Sequence, residues 1–255
     1  MKIRILGCSG GIGGPMLRTT SMLVDQDILI DCGTGVADLS IDELARIDHV
    51  FLTHSHLDHI ACLPLLVDTV GEMRDRPLTV HALPATEQAL RTHVFNWTIW
   101  PDFTEIPSAE KAWLRFRPLQ LGAPVGLSGR SILPLPADHT VPAVAFGIDS
   151  GHASLVFSGD TGPSPELWRA VNAIDNLEVL IIETAFSDRE RKVAQASRHL
   201  CPGMLVGELQ QLRSRPDIYI THLKPGQAEQ TMTEIESSAG SYRPRMLKNN
   251  QVFEL

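Results

Sequence analysis

The chain has 255 residues, 43% of them hydrophobic and 20% charged, with 22 basic against 30 acidic side chains and a formal net charge of −8. That length is enough to bury a sizeable core, and the acidic balance excludes broad capture of nucleic acid or of an anionic membrane, which needs a basic face. No apolar run approaches the roughly 18 residues of a membrane span, and the opening MKIRILGCSGG lacks the basic and then apolar pattern of a secretory leader.

Strand-like segments begin with KIRIL at 2–6. The glycine-rich GCSGGIGG at 7–14 has no GK[ST] ending, so it reads as a flexible turn beside a pocket rather than a phosphate loop. DILID at 27–31 and HVFLT at 49–53 are the next strands, and a helix is expected over 58–72. LTVHA at 78–82 precedes a helix over 84–94. The stretch 92–118 holds three of the four tryptophans and several prolines, and reads either as an inserted hairpin or cap or as ordinary packing. AVAFGI at 143–148, SLVFSGD at 154–160, LEVLIIET at 177–184 and DIYITH at 217–222 complete the strands, with helices expected over 164–174, 203–214 and 226–238. The strands are rich in Ile, Val, Leu and Phe and are bounded by Gly, Asp or Pro. No repeat, low-complexity tract or Gly/Ser linker interrupts them. One α/β domain over 1–255, with helices layered on sheets, is the simplest organisation.

The chemistry-bearing residues cluster at strand ends, where rigid scaffolds present functional loops. HSHLDH at 54–59 places His54, His56, Asp58 and His59 within six positions. Imidazole and carboxylate together suit zinc, manganese or iron. Such a cluster is costly to bury without a metal, because buried polar groups need partners. Further ligands must come from elsewhere: His139 after ILPLPAD, Asp160 in FSGD and His222 in ITH. The expected division puts one cation on His54, His56, His139 and Asp160. A second takes Asp58, His59, Asp160 and His222, with the Asp160 carboxylate shared. Asp31 in LIDCG supports the site or caps a turn. His49, His81, His93 and His152 lack such company and read as packing or surface residues. Cys8, Cys32, Cys62 and Cys201 form neither a CxxC pair nor a disulfide framework, which fits reduced thiols in a cytoplasmic protein.

This ordered set resembles the metallo-β-lactamase superfamily. The resemblance implies a four-layer αβ/βα sandwich with a two-metal site at one edge. IIETAF at 181–186, SRHL at 197–200 and YITHLKPG at 219–226 are similar to the phosphodiesterase branch, which includes tRNase Z and the class II cyclic-nucleotide phosphodiesterases. HVFNWTIWPDF at 93–103, LGCSGG at 6–11 and LIDCGTG at 29–35 resemble the latter. In that branch an extra histidine lies between the glutamate and the final ligand; here it is His199, with Glu183 as its partner. The run IACLPLLVDTV at 60–70 departs from the class II pattern, which leaves the ligands intact but opens the question of substrate.

The resemblance therefore implies a phosphodiesterase acting on 3′,5′-cyclic nucleotides such as cAMP or cGMP. Its cofactors would be two divalent ions, Zn²⁺ with Mn²⁺ or Fe²⁺ as alternatives. Asp58 would orient the nucleophile, and His199 would protonate the leaving oxygen while Glu183 fixes its tautomer. The alternatives are a tRNase Z-like RNA endonuclease, a lactone, thioester or β-lactam hydrolase, and a non-catalytic metal-binding module. The expected partner is a small cyclic nucleotide; a homodimer, with the 92–118 segment as contact surface, is also consistent with the branch.

Overall fold

The structure, a computed structural model, describes residues 1–255. Six strands of the N-terminal half belong to the first sheet: β1 (Lys2–Gly7), β2 (Ser21–Val24), β3 (Ile28–Ile30), β4 (His49–Phe51), β5 (Leu78–Ala82) and β6 (Leu114–Pro118). The second sheet takes the next seven: β7 (Val125–Leu127), β8 (Arg130–Pro136), β9 (Val144–Asp149), β10 (Ser154–Phe157), β11 (Leu177–Glu183), β12 (Asp217–Thr221) and β13 (Arg245–Met246). The last strand, β14 (Val252–Glu254), returns to pair antiparallel with β1. From β3 to β6 the first sheet is parallel, as is β10 to β13 in the second.

Alternation explains the layers. In β1, Ile3 and Ile5 are fully buried between the sheets, where they meet Met22, Phe146, Phe157 and Ile181. The opposite faces carry helices. On the first sheet, Val50 and Leu52 pack with Leu63, Leu66 and Val70. On the second, Ile182 and Ile220 pack with Trp168, Leu205 and Ile235. Parallel β11 is covered on both sides, so residues 179–183 are all buried rather than alternating. The result is the expected αβ/βα sandwich.

The helices are α1 (Ile41–Ala45), α2 (Leu57–Ile60), α3 (Leu63–Val70), α4 (Pro84–His93), α5 (Pro165–Val171), α6 (Arg191–Ser197), α7 (Pro202–Leu209) and α8 (Ala228–Ala239). The helix expected over 58–72 is two helices. The Cys62 amide leaves the helical pattern to donate to the Cys32 carbonyl at 2.9 Å, and Pro64 then fits the first turn of α3. The helix expected over 203–214 ends at Leu209, and α6 lies in a stretch where none was expected. The Trp-rich segment 92–118 runs from the end of α4 through a loop into β6. Its Phe95 and Phe103 are buried, while Trp97 and Ile99 are exposed. No helix is long and apolar enough to cross a membrane. All four cysteines are free.

Candidate metal centre

The site forms where strands of both sheets end. Past β4, Thr53 and His54 are fully buried, and His56 sits in extended conformation as the N-cap of α2. The single turn of α2 then carries Asp58 and His59. The second sheet supplies His139 from the β8–β9 loop, Asp160 after β10 and His222 after β12.

Two backbone features let these loops converge. His222 has a left-handed φ of 62°, and its amide donates to the Cys8 carbonyl at 2.9 Å. Gly10 makes that approach possible: a Cβ there would lie 2.4 Å from the His222 carbonyl oxygen. The glycine-rich turn therefore admits a ligand-bearing backbone. Gly159, with φ of 59°, turns the chain between β10 and Asp160.

The ligand atoms of His54, His56, His139 and Asp160 all lie within 4.8 Å of one another, as do those of Asp58, His59, Asp160 and His222. Asp160 Oδ2 is common to both sets. It lies 3.3 Å from Nε2 of His59 and of His222, 3.7 Å from His54 Nε2 and 4.0 Å from His139 Nε2. Asp58 Oδ2 is 3.2 Å from His222 Nε2, and His139 Nε2 is 3.1 Å from His56 Nδ1.

Outer partners fix the rings. Asp31 is fully buried with φ of 57°; it accepts from the Thr53 amide at 2.8 Å and from His59 Nδ1 at 2.7 Å. That donation leaves His59 Nε2 turned toward Asp160. His139 Nδ1 donates to the Arg198 carbonyl at 3.0 Å, which frees its Nε2 in the same way. Of these partners the sequence points to Asp31 alone, as a support of the site or a turn cap, and not to Thr53, Gly10 or Arg198. Thr53 adjoins the HSHLDH cluster and Gly10 lies within the glycine-rich turn, but nothing in the sequence pairs Arg198 with His139.

Glu183 is fully buried at the end of β11. Oε1 accepts from His199 Nδ1 at 2.7 Å and from the Thr161 amide at 3.1 Å, and Oε2 accepts from the amides of Ala185 and Leu200. The left-handed Arg198, at φ of 52°, ends α6 and delivers His199 to this carboxylate. The His199 ring lies 4.9 Å from that of His139 and 5.1 Å from that of His222, with Phe186 at 5.6 Å.

Charge and burial set the protonation states. Burial, reinforced by neighbouring imidazoles, pushes His54 far below its usual range, and burial also lowers His56 and His139. These three are therefore neutral, the form that ligates metal. Burial would raise Asp160, but His222, His59 and His54 around it hold it well down. Burial opposes a charge on His199, yet Glu183 raises it.

The donors fit divalent cations. His54 Nε2 and His59 Nε2 are buried with no hydrogen-bond partner, and each such orphan costs about 1–3 kcal/mol. Imidazole nitrogens facing a shared carboxylate at 3.3–4.0 Å are spaced for a cation between them rather than for strong hydrogen bonds.

A family model described as "Beta-lactamase superfamily domain" matches residues 26–240, which include every residue of the site apart from the Gly10 turn. A 3',5'-cyclic-nucleotide phosphodiesterase of Aliivibrio fischeri is 30% identical over 246 residues, 80% of this chain and 73% of that protein. A Yersinia pestis protein named "Probable 3',5'-cyclic-nucleotide phosphodiesterase" is 28% identical over 207 residues, 70% of this chain; the chain spans 57% of that relative's length. A ribonuclease Z of Bradyrhizobium diazoefficiens is 25% identical over 248 residues, 78% of this chain and 81% of that one. Unliganded yeast PDE1 shares the fold, with a TM-score of 0.80 at 19% identity over 100% of this chain and 99% of that chain. From the matched family model, the two-sheet sandwich and the histidine–aspartate cluster at its edge, the chain belongs to the metallo-β-lactamase superfamily.

Proposed function

We propose that the protein is a metal-dependent phosphodiesterase that opens 3′,5′-cyclic nucleotides to 5′-nucleotides at a centre of two divalent cations, Zn²⁺ foremost. The observation that carries this reading is the His199–Glu183 pair beside the two ligand groups. Acyl hydrolysis on this fold needs no such pair, whereas an alkoxide leaving from phosphorus needs a proton.

His54, His56, His139 and Asp160 would hold one cation, and Asp58, His59, Asp160 and His222 the other. The two cations, when bound, supply a nucleophile at neutral pH and offset the charge that develops at phosphorus. Asp58, kept ionised against burial by His222 and His59, accepts a hydrogen bond from the attacking water and orients it. His199 donates from Nε2 to the departing 3′ oxygen, because its Nδ1 is committed to Glu183. Glu183 is locked by backbone amides, so it fixes the tautomer without moving. The free cysteines support a reducing, cytoplasmic setting.

The test is a turnover screen of one metal-loaded sample against cAMP, cGMP, 2′,3′-cyclic nucleotides and bis(p-nitrophenyl) phosphate. The expected result is release of 5′-nucleotide from a 3′,5′-cyclic substrate, lost on chelation and in His56→Ala. Activity that survives both treatments sinks the reading. The ribonuclease Z relative favours one competitor: cleavage of precursor tRNA, with no turnover of cyclic nucleotides, would put RNA in place of the small substrate.

A further inference from the structure

Away from the metal centre, between the β4–β6 strands and the β7–β8 hairpin, the two sheets part around an open cavity of about 620 Å³. Register shows what is unusual about it. His49 pairs with Thr79 and Thr79 with Arg115; Phe51 pairs with His81 and His81 with Arg117. These two rows run along the face of the first sheet that looks at the second. Elsewhere that face is apolar, built from Ile3, Ile5, Ile28 and Ile30. Toward the β6 edge it turns to histidine, threonine and arginine, while Leu114 and Phe116 on the other face pack with the helices.

Four arginines line the cavity in a chain whose net charge is −8. Two of them are compensated: Arg130 grips Asp27 at 2.6 Å, and Arg76 and Arg74 share Asp48. Arg115 and Arg117 take part in no such ion pair. They stand two residues apart on one face of an edge strand, about 7 Å from each other along it. His49 Nδ1 meets His81 Nε2 at 3.1 Å between them and the carboxylates, and His81 stacks on Phe51 at 4.2 Å. Both guanidinium forks are exposed at the mouth of the wedge between the sheets, with their donors free of any carboxylate. An oxyanion with several acceptors matches that free donor geometry.

We infer that this cavity is a second ligand site, which binds the phosphate group of a small phosphate-bearing molecule through Arg115 and Arg117. The volume exceeds what a bare ion needs and leaves room for an attached group. Thr79 and Ser128 offer hydroxyls at the walls. The strand that reaches the cavity at His49 continues to the ligand loop at His54, so an occupant here touches the element that carries the metal cluster.

The test is an amide NMR titration of the metal-loaded protein with inorganic phosphate and, separately, with 5′-AMP. Saturable shifts are expected at Thr79, His81 and Arg115. In the Arg115→Gln/Arg117→Gln variant the apparent Kd for those shifts should be weaker by about tenfold or more. The variant should keep the parent's melting temperature and its turnover of bis(p-nitrophenyl) phosphate. Tighter binding of 5′-AMP than of phosphate would place the nucleoside in the cavity; equal binding would mean the phosphate alone is read. Shifts confined to the metal centre, or an unchanged Kd in the variant, overturn the inference. Should that variant fail to fold, Leu127→Glu brings a carboxylate to the opposite wall and must weaken binding likewise; unaltered binding there also overturns it.

Discussion

His199 has one ring nitrogen left to give, because Glu183 holds the other at 2.7 Å. Truncation to alanine should slow turnover by about 10²–10⁴-fold, the usual worth of a positioned proton donor. Bound metal, counted by atomic absorption, should not change; loss of metal would mean that His199 is a ligand. A different histidine governs acid stability. Burial, then His49 and the charge of Arg117, hold His81 down at about 4 against an ordinary 6.5. Between those values the unfolded chain binds a proton there that the folded chain refuses, so stability falls as pH drops from 6.5 toward about 4. Asp27, Asp48, Arg76 and Arg130 surround the neighbouring His49, whose own range burial lowers. In His81→Leu the melting temperature should fall less steeply across that interval than in the parent; equal slopes would remove His81 as the cause.

Packing between elements gives a matched pair of glycine substitutions. A Cβ on Gly71, just past α3, would lie 2.3 Å from the Trp113 ring, which is itself wedged against Phe103. Gly71→Ala should destabilise by about 1–3 kcal/mol, the range for forcing extra volume into a packed site. Gly207, exposed inside α7, has nothing within 4 Å of its ideal Cβ, so Gly207→Ala should gain about 0.5–1 kcal/mol. Thermal melts decide both, and an equal response at the two positions would defeat the packing argument. The same elements mark how far the sequence could be read. The HSHLDH cluster and its partners were legible because ligand-type residues stand out beside apolar strands. The break between α2 and α3 was not, because it depends on the Cys62 amide finding Cys32, 30 positions away. β7, β13 and β14 are two or three residues long, too short to carry a period. The basic cavity was invisible for a related reason. His49, His81, Arg115 and Arg117 become neighbours only through parallel register across β4, β5 and β6.

At the level of the molecule, a cation bound only by the folded state adds stability by mass action, about 2.7 kcal/mol at a free concentration 100 times Kd. A chain of this size shifts its melting temperature by about 2–4 °C per kcal/mol. Stripping with EDTA should therefore lower the melting temperature by about 5–10 °C, and calorimetry before and after re-addition of zinc measures it. No shift would leave the cluster without a bound ion to lose. The placement of the donors has a consequence for how the chain holds together. His54, His56, Asp58 and His59 precede the turn at Gly122, and His139, Asp160 and His222 follow it. A polypeptide severed at that turn would leave neither piece a complete coordination set. The pieces would still share the apolar layer between the sheets and the pairing of β1 with β14, so added ion would tighten their reunion rather than create it.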